Sequence, residues 1–259
     1  MPNPFGTHRK HIEICTSTNL LAAEWAKTGA PEGAVVSTDF QTAGRGRLGR
    51  AWDSDLSHNL MFSLVLRPVM KPEDYGQVVL VAAVAVSEAL SEILPPDVVQ
   101  IKWPNDVLLA RKKVCGMIIE TISGTDALIL GIGLNVNQSS FSEALHQKAT
   151  SLAIFSGKIF DREVLLGSIL NSLETHLHHL YQQGVSDVRR RYLATLAGLG
   201  ERITLREGQE VIHQGILAGV NERGHLMVME KGGIRVFVAG EVSLSDFYTT
   251  AENPLQPPT

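Results

Sequence analysis

The sequence predicts an α/β protein with a small, β-rich unit at its C-terminal end. Short β-type runs alternate with helical patterns as far as Ala197. After Gly198 the texture changes to closely spaced strands and turns. With 44% hydrophobic and 19% charged residues in a chain of 259, the composition is that of a packed globular protein. That length suits one large domain, or a main domain with a small appendage.

The elements follow in order. His11 to Cys15 is a short, semi-apolar strand. Ser17 or Thr18 can cap a helix from about Asn19 to Lys27, with Gly29 just past its end. A strand over Ala34 to Phe40 precedes a glycine- and arginine-dense loop, Thr42 to Arg50. Leu60 to Leu66 reads as a buried strand ended by Pro68. Glu73 to Leu94 is a long, mostly apolar helix closed by Pro95 and Pro96, which cannot continue it. Strands are expected over Val98 to Lys102, Val107 to Ala110, Val114 to Thr121 and Ala127 to Gly131. Helices are expected over Arg162 to Gln183 and Val185 to Ala197.

From Glu201 to Leu244 come β-type runs at Ile203–Arg206, Val211–Ala218, Leu226–Glu230 and Ile234–Val238. Turns at Glu207-Gly208, Arg223-Gly224 and Gly232-Gly233 separate them, a spacing that suggests a small barrel of the SH3-like size class. The boundary falls near Gly198 to Gly200, giving an expected main domain over residues 1–198 and a C-terminal domain over 199–259. The proline-rich end (Pro254, Pro257, Pro258) is expected to be a frayed, disordered tail.

A formal net charge of −4 argues against a general nucleic-acid binder. The longest apolar run, Val78 to Val86, is nine residues, against the roughly 20 needed to span a bilayer. No apolar segment follows the basic residues of the N-terminus, so no secretory signal is evident. Two cysteines, Cys15 and Cys115, cannot make a disulfide framework, and a bridge between them is not expected. A reducing cytoplasm is the simplest setting.

The most informative segment is Gly44-Arg45-Gly46-Arg47-Leu48-Gly49-Arg50, followed by Trp52. Three arginines in seven residues of an acidic protein are an electrostatic anomaly. The glycines let backbone amides approach a ligand, and the guanidinium forks suit carboxylates and phosphates. Together they describe a flexible anion clamp. The segment also matches G-x-G-x-x-G, but that fingerprint needs a helix directly after the turn. Ala51-Trp52-Asp53-Ser54-Asp55 does not begin an apolar-periodic helix. A solvated basic loop is the remaining alternative.

Lys102-Trp103-Pro104-Asn105-Asp106 places a cation, an aromatic plane and two short polar groups around a proline turn. It could equally be an ordinary strand-to-strand turn. Lys113-Val114-Cys115-Gly116 begins a strand, with the lysine before an apolar run that ends in Glu120, and a lone lysine there is usually solvated. Gly131-Ile132-Gly133-Leu134-Asn135-Val136-Asn137 ends a strand with two glycines, which suggests a bulge, a bend or a ligand close to the backbone. Ser17-Thr18-Asn19 is explained by capping, and could also bind a small polar head group. His176 and His179 share a helix face, but no carboxylate or cysteine pattern completes a metal site, so a solvated face is expected. Cys115 lacks a histidine partner motif and reads as a buried small residue.

These segments, in this order, resemble the biotin protein ligase family, over nearly the whole chain from about His11 to Leu244. The arginine-glycine loop from Gln41 to Trp52, with Lys102–Asp106 downstream, is the specific part. The resemblance implies a mixed-sheet catalytic domain related to class II aminoacyl-tRNA synthetases, followed by an SH3-like barrel. It implies that biotin and ATP yield biotinyl-adenylate, and that biotin then passes to a lysine of a biotin carboxyl carrier domain. Lys113, Arg45 and Arg47 would be catalytic. Ser17, Thr18, Asn19, Gln41, Gly44, Gly46, Gly116, Gly131 and Gly133 would join those three around biotin. Arg47, Arg50, Trp52, Lys102, Asn105, Asp106 and Asn135 would hold ATP or the adenylate. Mg²⁺ is expected with ATP; its ligands are not clear, and Asn105 and Asp106 are nearby candidates.

Repressor members carry an N-terminal helix-turn-helix domain, whereas about ten residues precede the first strand here, so DNA is not an expected partner. Nor is a membrane. A homodimer through the catalytic sheet fits the family's habit. Cys115 takes a position where a smaller residue is common, a change conservative in size. A lipoate or octanoate ligase of the same fold, or a biotin-binding regulator without turnover, are the rival readings.

Overall fold

The structure, a computed structural model, describes residues 4–49, 52, 58–207 and 210–244. Arg50, Gly208 and the proline-rich tail lie outside the described residues. The larger part runs β1 (Arg9–Cys15), α1 (Thr18–Lys27), β2 (Val35–Gln41), β3 (Leu60–Leu66), α2 (Gly76–Ser91), β4 (Val99–Lys102), β5 (Asp106–Leu109), β6 (Lys112–Thr121) and β7 (Leu128–Leu134). Then come α3 (Leu152–Ser156), α4 (Arg162–Gln183) and α5 (Ser186–Thr195). The seven strands form one mixed sheet in the order β1-β2-β3-β7-β6-β5-β4. Only the β1–β2 pair is parallel among these.

Strand alternation separates two faces. Leu60, Phe62, Leu64 and Leu66 of β3, with Leu128, Leu130, Ile132 and Leu134 of β7, join the core formed with α2, α4 and α5. Burying one such side chain stabilises by roughly 1.5–3 kcal/mol, so this face is the main source of stability. Val65 and Ile129 point the other way and pack with Ala22 and Ala26 of α1. By the same alternation Met61, Ser63, Gly131 and Gly133 share the α1 face. That face, bare of large side chains at the two glycines, is where a cavity opens.

Several boundaries differ from expectation for local reasons. The helix expected from Glu73 is broken: a 3-10 turn covers Pro72–Asp74, and α2 starts at Gly76. β7 does not stop at Gly131. It continues unbroken through Gly133 to Leu134, because Ser63 and Ile118 flank Gly131 in register and Met61 and Gly116 flank Gly133. The bulge lies instead in the β5–β6 pair, at Val107/Leu108. Short α3 was not anticipated; Ser151 caps it by accepting from the Ile154 amide at 3.0 Å.

The chain ends in β8 (Arg202–Glu207), β9 (Glu210–Val220), β10 (Leu226–Glu230), β11 (Gly233–Phe237) and β12 (Glu241–Leu244). They make an antiparallel sheet in the order β11-β10-β9-β8-β12, the small β unit that the spacing suggests. Its β9–β10 turn seats on the larger part. Trp103 Nε1 donates to Gly224 O at 2.9 Å, and Gln77 Nε2 to Glu222 O at 3.0 Å. A Cβ on Gly76 would overlap Arg223 O, so this close approach requires glycine.

Candidate active site

A cavity of about 560 Å³ lies on the α1 face, over the middle of the large sheet. Gly116, Gly131 and Gly133 form its floor. A Cβ on Gly133 would come within 2.6 Å of the Trp52 ring, and one on Gly116 within 3.0 Å of both Trp52 and Lys113. A Cβ on Gly131 would overlap the Asn19 side chain. The glycines therefore leave a hollow that other side chains share.

The wall beside it is the start of α1. Ser17 holds the extended N-cap position, yet its hydroxyl makes no capping bond. Instead Gln41 Oε1 accepts the Thr18 backbone N–H at 2.8 Å. The expected local cap is thus replaced by a side chain from the end of β2, which joins the serine-threonine segment to the arginine-glycine loop. Ser17, Thr18 and Asn19 are buried.

The described clamp residues close on themselves, since the Trp52 amide donates to Gly44 O at 3.0 Å. A 3-10 turn, Arg47–Gly49, closes the fingerprint, and among the described residues no α-helix opens from it, as a dinucleotide fold would need. Arg45, Gly46 and Arg47 line the cavity. Arg47 Nη1 donates to Asn105 Oδ1 at 3.2 Å, and Asn105 Nδ2 to Met117 O at 2.7 Å. Lys113 Nζ stands 2.7 Å from Asp106 Oδ1 and 5.5 Å from the Trp52 ring centre. Lys102 also faces the cavity. Of the expected site residues only Arg50 lies outside the described residues.

Apart from Asp106 Oδ1, which faces the Lys113 ammonium at 2.7 Å, two buried polar atoms here, Trp52 Nε1 and Asn135 Oδ1, lack a hydrogen-bond partner among the described residues. Such an atom costs roughly 1–3 kcal/mol unless something bonds it, which suits a cavity built for a polar ligand. Asn135 Nδ2 is committed to Thr150 O at 3.0 Å. As a metal centre the site fits poorly. Asp106 is paired with Lys113, and among the described residues no group of three or more His, Cys, Asp or Glu could hold an ion.

Other residues reach the cavity unannounced by any motif. Phe141, Leu145, Lys148 and Ala149 come from the segment after β7, laced to the Lys113 strand by Lys113 N to Lys148 O at 2.8 Å. Arg206, Glu241, Val242 and Ser243 come from β8 and β12. Glu120 lines it too, and alternation from Gly116 along β6 was a signal for that.

Cys115 is free and fully buried in the core, where burial pushes its thiol pKa well up and away from nucleophilic use. His176 corrects an expectation: it is buried, not solvated, with Nε2 2.7 Å from Glu88 Oε2. His178 and His179 are exposed. The helix turns His176 alone toward α2.

A polar, cation-lined cavity floored by glycines suits small anionic ligands. The Biotin/lipoate A/B protein ligase family matches residues 12–137, and the Biotin protein ligase C terminal domain matches residues 198–245. The Biotin--[acetyl-CoA-carboxylase] ligase of Paracoccus denitrificans is 35% identical over 233 residues, covering 87% of this chain and 96% of that protein. The Bifunctional ligase/repressor BirA of Bacillus spizizenii is 33% identical over 244 residues, covering 92% of this chain and 74% of that protein. Among solved structures, the biotin protein ligase from Aquifex aeolicus in complex with biotin and ATP superposes with a TM-score of 0.81 at 33% identity, covering 92% and 98%. The chain belongs to the biotin protein ligase family. It is an ATP-dependent ligase that activates biotin and transfers it to an acceptor protein.

Proposed function

We propose that this one cavity carries both half-reactions, with the residue roles that follow. In the first, the biotin carboxylate attacks the α-phosphate of ATP, forming the mixed anhydride and releasing pyrophosphate. Two anions must meet, so charge neutralisation and alignment are the main demands. Lys113 supplies the central cation, and Arg45 and Arg47 supply the donors for carboxylate and phosphate. Arg50 is assigned to the leaving phosphates. The observation that carries this reading is the convergence of Lys113, Arg45 and Arg47 on a glycine-floored cavity.

Thr18 and Gln41, with Ser17, face the neutral ureido head of biotin, which needs hydrogen bonds in a dry pocket. Trp52, Lys102, Asn105, Asp106 and Asn135 serve the nucleotide side. Asp106 also keeps Lys113 in place, at 2.7 Å, until the anions arrive. Mg²⁺ would enter on the phosphates of ATP, and no step here depends on a protein cage for it.

In the second half-reaction an acceptor lysine amine attacks the anhydride and AMP leaves. The acceptor in this reading is a biotin carboxyl carrier domain of a carboxylase. We assign catalysis to residues 1–198, with 199–259 as an accessory domain, in a cytoplasmic and homodimeric enzyme. The test is pyrophosphate release from ATP with biotin or lipoate, with and without a carrier domain. Biotin-dependent release with the carrier gaining biotin's mass is the expected result. Release with lipoate alone, or tight biotin binding without release, would overturn it.

A further inference from the structure

Along the biotin wall runs a chain of polar side chains, two of which, Glu120 and Ser63, belong to no motif. Glu120 lies on β6 two residues beyond Ile118, on the cavity face. Its Oε2 accepts from Asn19 Nδ2 at 2.6 Å. Asn19 Oδ1 lies 2.6 Å from Ser63 Oγ, and Ser63 Oγ lies 2.7 Å from Thr18 Oγ1. Ser63 is fully buried, and Thr18 and Asn19 nearly so.

Counting protons gives this chain a direction. An ionised carboxylate only accepts, so the amide of Asn19 must turn its NH₂ to Glu120 and its oxygen to Ser63. Ser63 has one proton and must give it to that oxygen. Its own oxygen is then left to accept, so in the 2.7 Å pair with Thr18 it is Thr18 that donates. The Thr18 hydroxyl is also 3.2 Å from Gln41 Oε1, but the shorter 2.7 Å pair with Ser63 needs a proton that only Thr18 can give. With its proton spent inward, Thr18 Oγ1 can offer only lone pairs to the cavity. Gln41 Nε2, 3.6 Å from Met61 Sδ, offers N–H beside it. An acceptor next to a donor is the complement of a ureido N–H and its C=O.

We infer that Glu120 is a positioning residue for biotin recognition: through Asn19 and Ser63 it fixes Thr18 Oγ1 as a hydrogen-bond acceptor toward the ureido N–H. The inference rests on the biotin reading of the cavity. It makes the head-group preference a property of a carboxylate that acts through two intervening side chains. Glu120→Gln removes the constraint, because a carboxamide can also donate, and the relay can then run either way. Ser63→Ala cuts the relay while leaving Glu120 and Asn19 together.

The experiment is biotin-dependent ATP–pyrophosphate exchange on the full chain and both variants, titrating biotin and ATP separately. Each variant should raise the KM for biotin about tenfold, the loss of one buried hydrogen bond. The KM for ATP and kcat should stay within about twofold, a split that general unfolding would not produce. Biotin methylated on a ureido nitrogen should be rejected less strongly by the variants than by the parent. Biotin KM unchanged in both variants would overturn the relay. A defect in Glu120→Gln with none in Ser63→Ala would also overturn it, since Glu120 would then act on the ligand directly. If Glu120→Gln does not fold, Ser63→Ala decides by the same criteria. An unmodified chain without biotin-dependent exchange would refute the ligase reading instead, and the relay with it.

Discussion

Lys113 owes its place to three neighbours: Asp106 at 2.7 Å, the Trp52 ring, and the backbone pairing of its own amide with Lys148 O. In its proposed role, a cation held this way costs little to reorganise when carboxylate and phosphate arrive, which is the condition for electrostatic catalysis. Lys113→Ala should lower biotin-dependent pyrophosphate exchange by at least about 10²–10³-fold. Normal adenylate yield from that variant would refute the role. Arg47 is tethered to Asn105 at 3.2 Å, so the clamp and the Lys102–Asp106 turn act on each other. Arg47→Ala should let biotinyl-adenylate escape and raise non-specific biotinylation, read by mass spectrometry of a bystander protein; unchanged free adenylate would sink the clamp model. The lysine by itself was weak in the sequence, because strand-start lysines are usually solvated. Arg45 and Arg47 were strong, because clustered arginines are rare in an acidic chain.

At the scale of elements, β7 keeps a regular ladder while giving up two side chains on its cavity face. Gly131→Ala would drive a methyl into Asn19, and Gly133→Ala would drive one into Trp52. Gly131→Ala should raise the KM for biotin by about tenfold or more, a loss of roughly 1.4 kcal/mol, with the fold kept by the opposite face. Equal biotin affinity by calorimetry would argue against the shared hollow.

The helices are tied by a polar clasp: His176 on α4 meets Glu88 on α2, and Glu88 Oε1 accepts from Arg191 on α5 at 2.9 Å. Hydrogen bonds from Arg191 and Arg190 hold Asp187 at a pKa of about 2. A carboxylate depressed in the folded state stabilises fully above its unfolded pKa, about 4, and loses that contribution as pH falls toward 2. Asp187 is more than a third exposed, so solvent screening limits the effect to under about 1 kcal/mol. Asp187→Asn should flatten the acid limb of urea stability between about pH 4 and 2. An acid limb identical to the parent's would contradict it.

For the whole molecule, the small sheet is a structural partner of the large one. Its β9–β10 turn rests on α2, and its β8 and β12 residues Arg206, Glu241, Val242 and Ser243 reach the cavity. Trp103, buried within the Lys102–Asp106 motif, gives its indole N–H to Gly224 O across that contact. Trp103→Phe should cost about 1 kcal/mol, or roughly 2–4 °C in Tm for a chain of this size. No change in Tm would mean that water replaces the bond at no loss.

What the sequence determined by itself is local and compositional. Apolar periodicity placed β3 and α4 to the residue, and the change of texture after Gly198 announced the second sheet. The glycine-arginine spacing marked an anion clamp. Only the tertiary structure decided which side chains share the cavity, because that depends on the register between strands distant in the chain. Glu120, Ser63 and Asn19 meet because β6, β7 and β3 are neighbours and α1 crosses their bare face. Phe141, Leu145 and Arg206 belong to no site motif, since a residue that merely closes a wall needs shape and reach rather than a fixed neighbour. His176 shows the same division: the helical period gave its angle on α4, and the packing of α2 decided that this angle is buried.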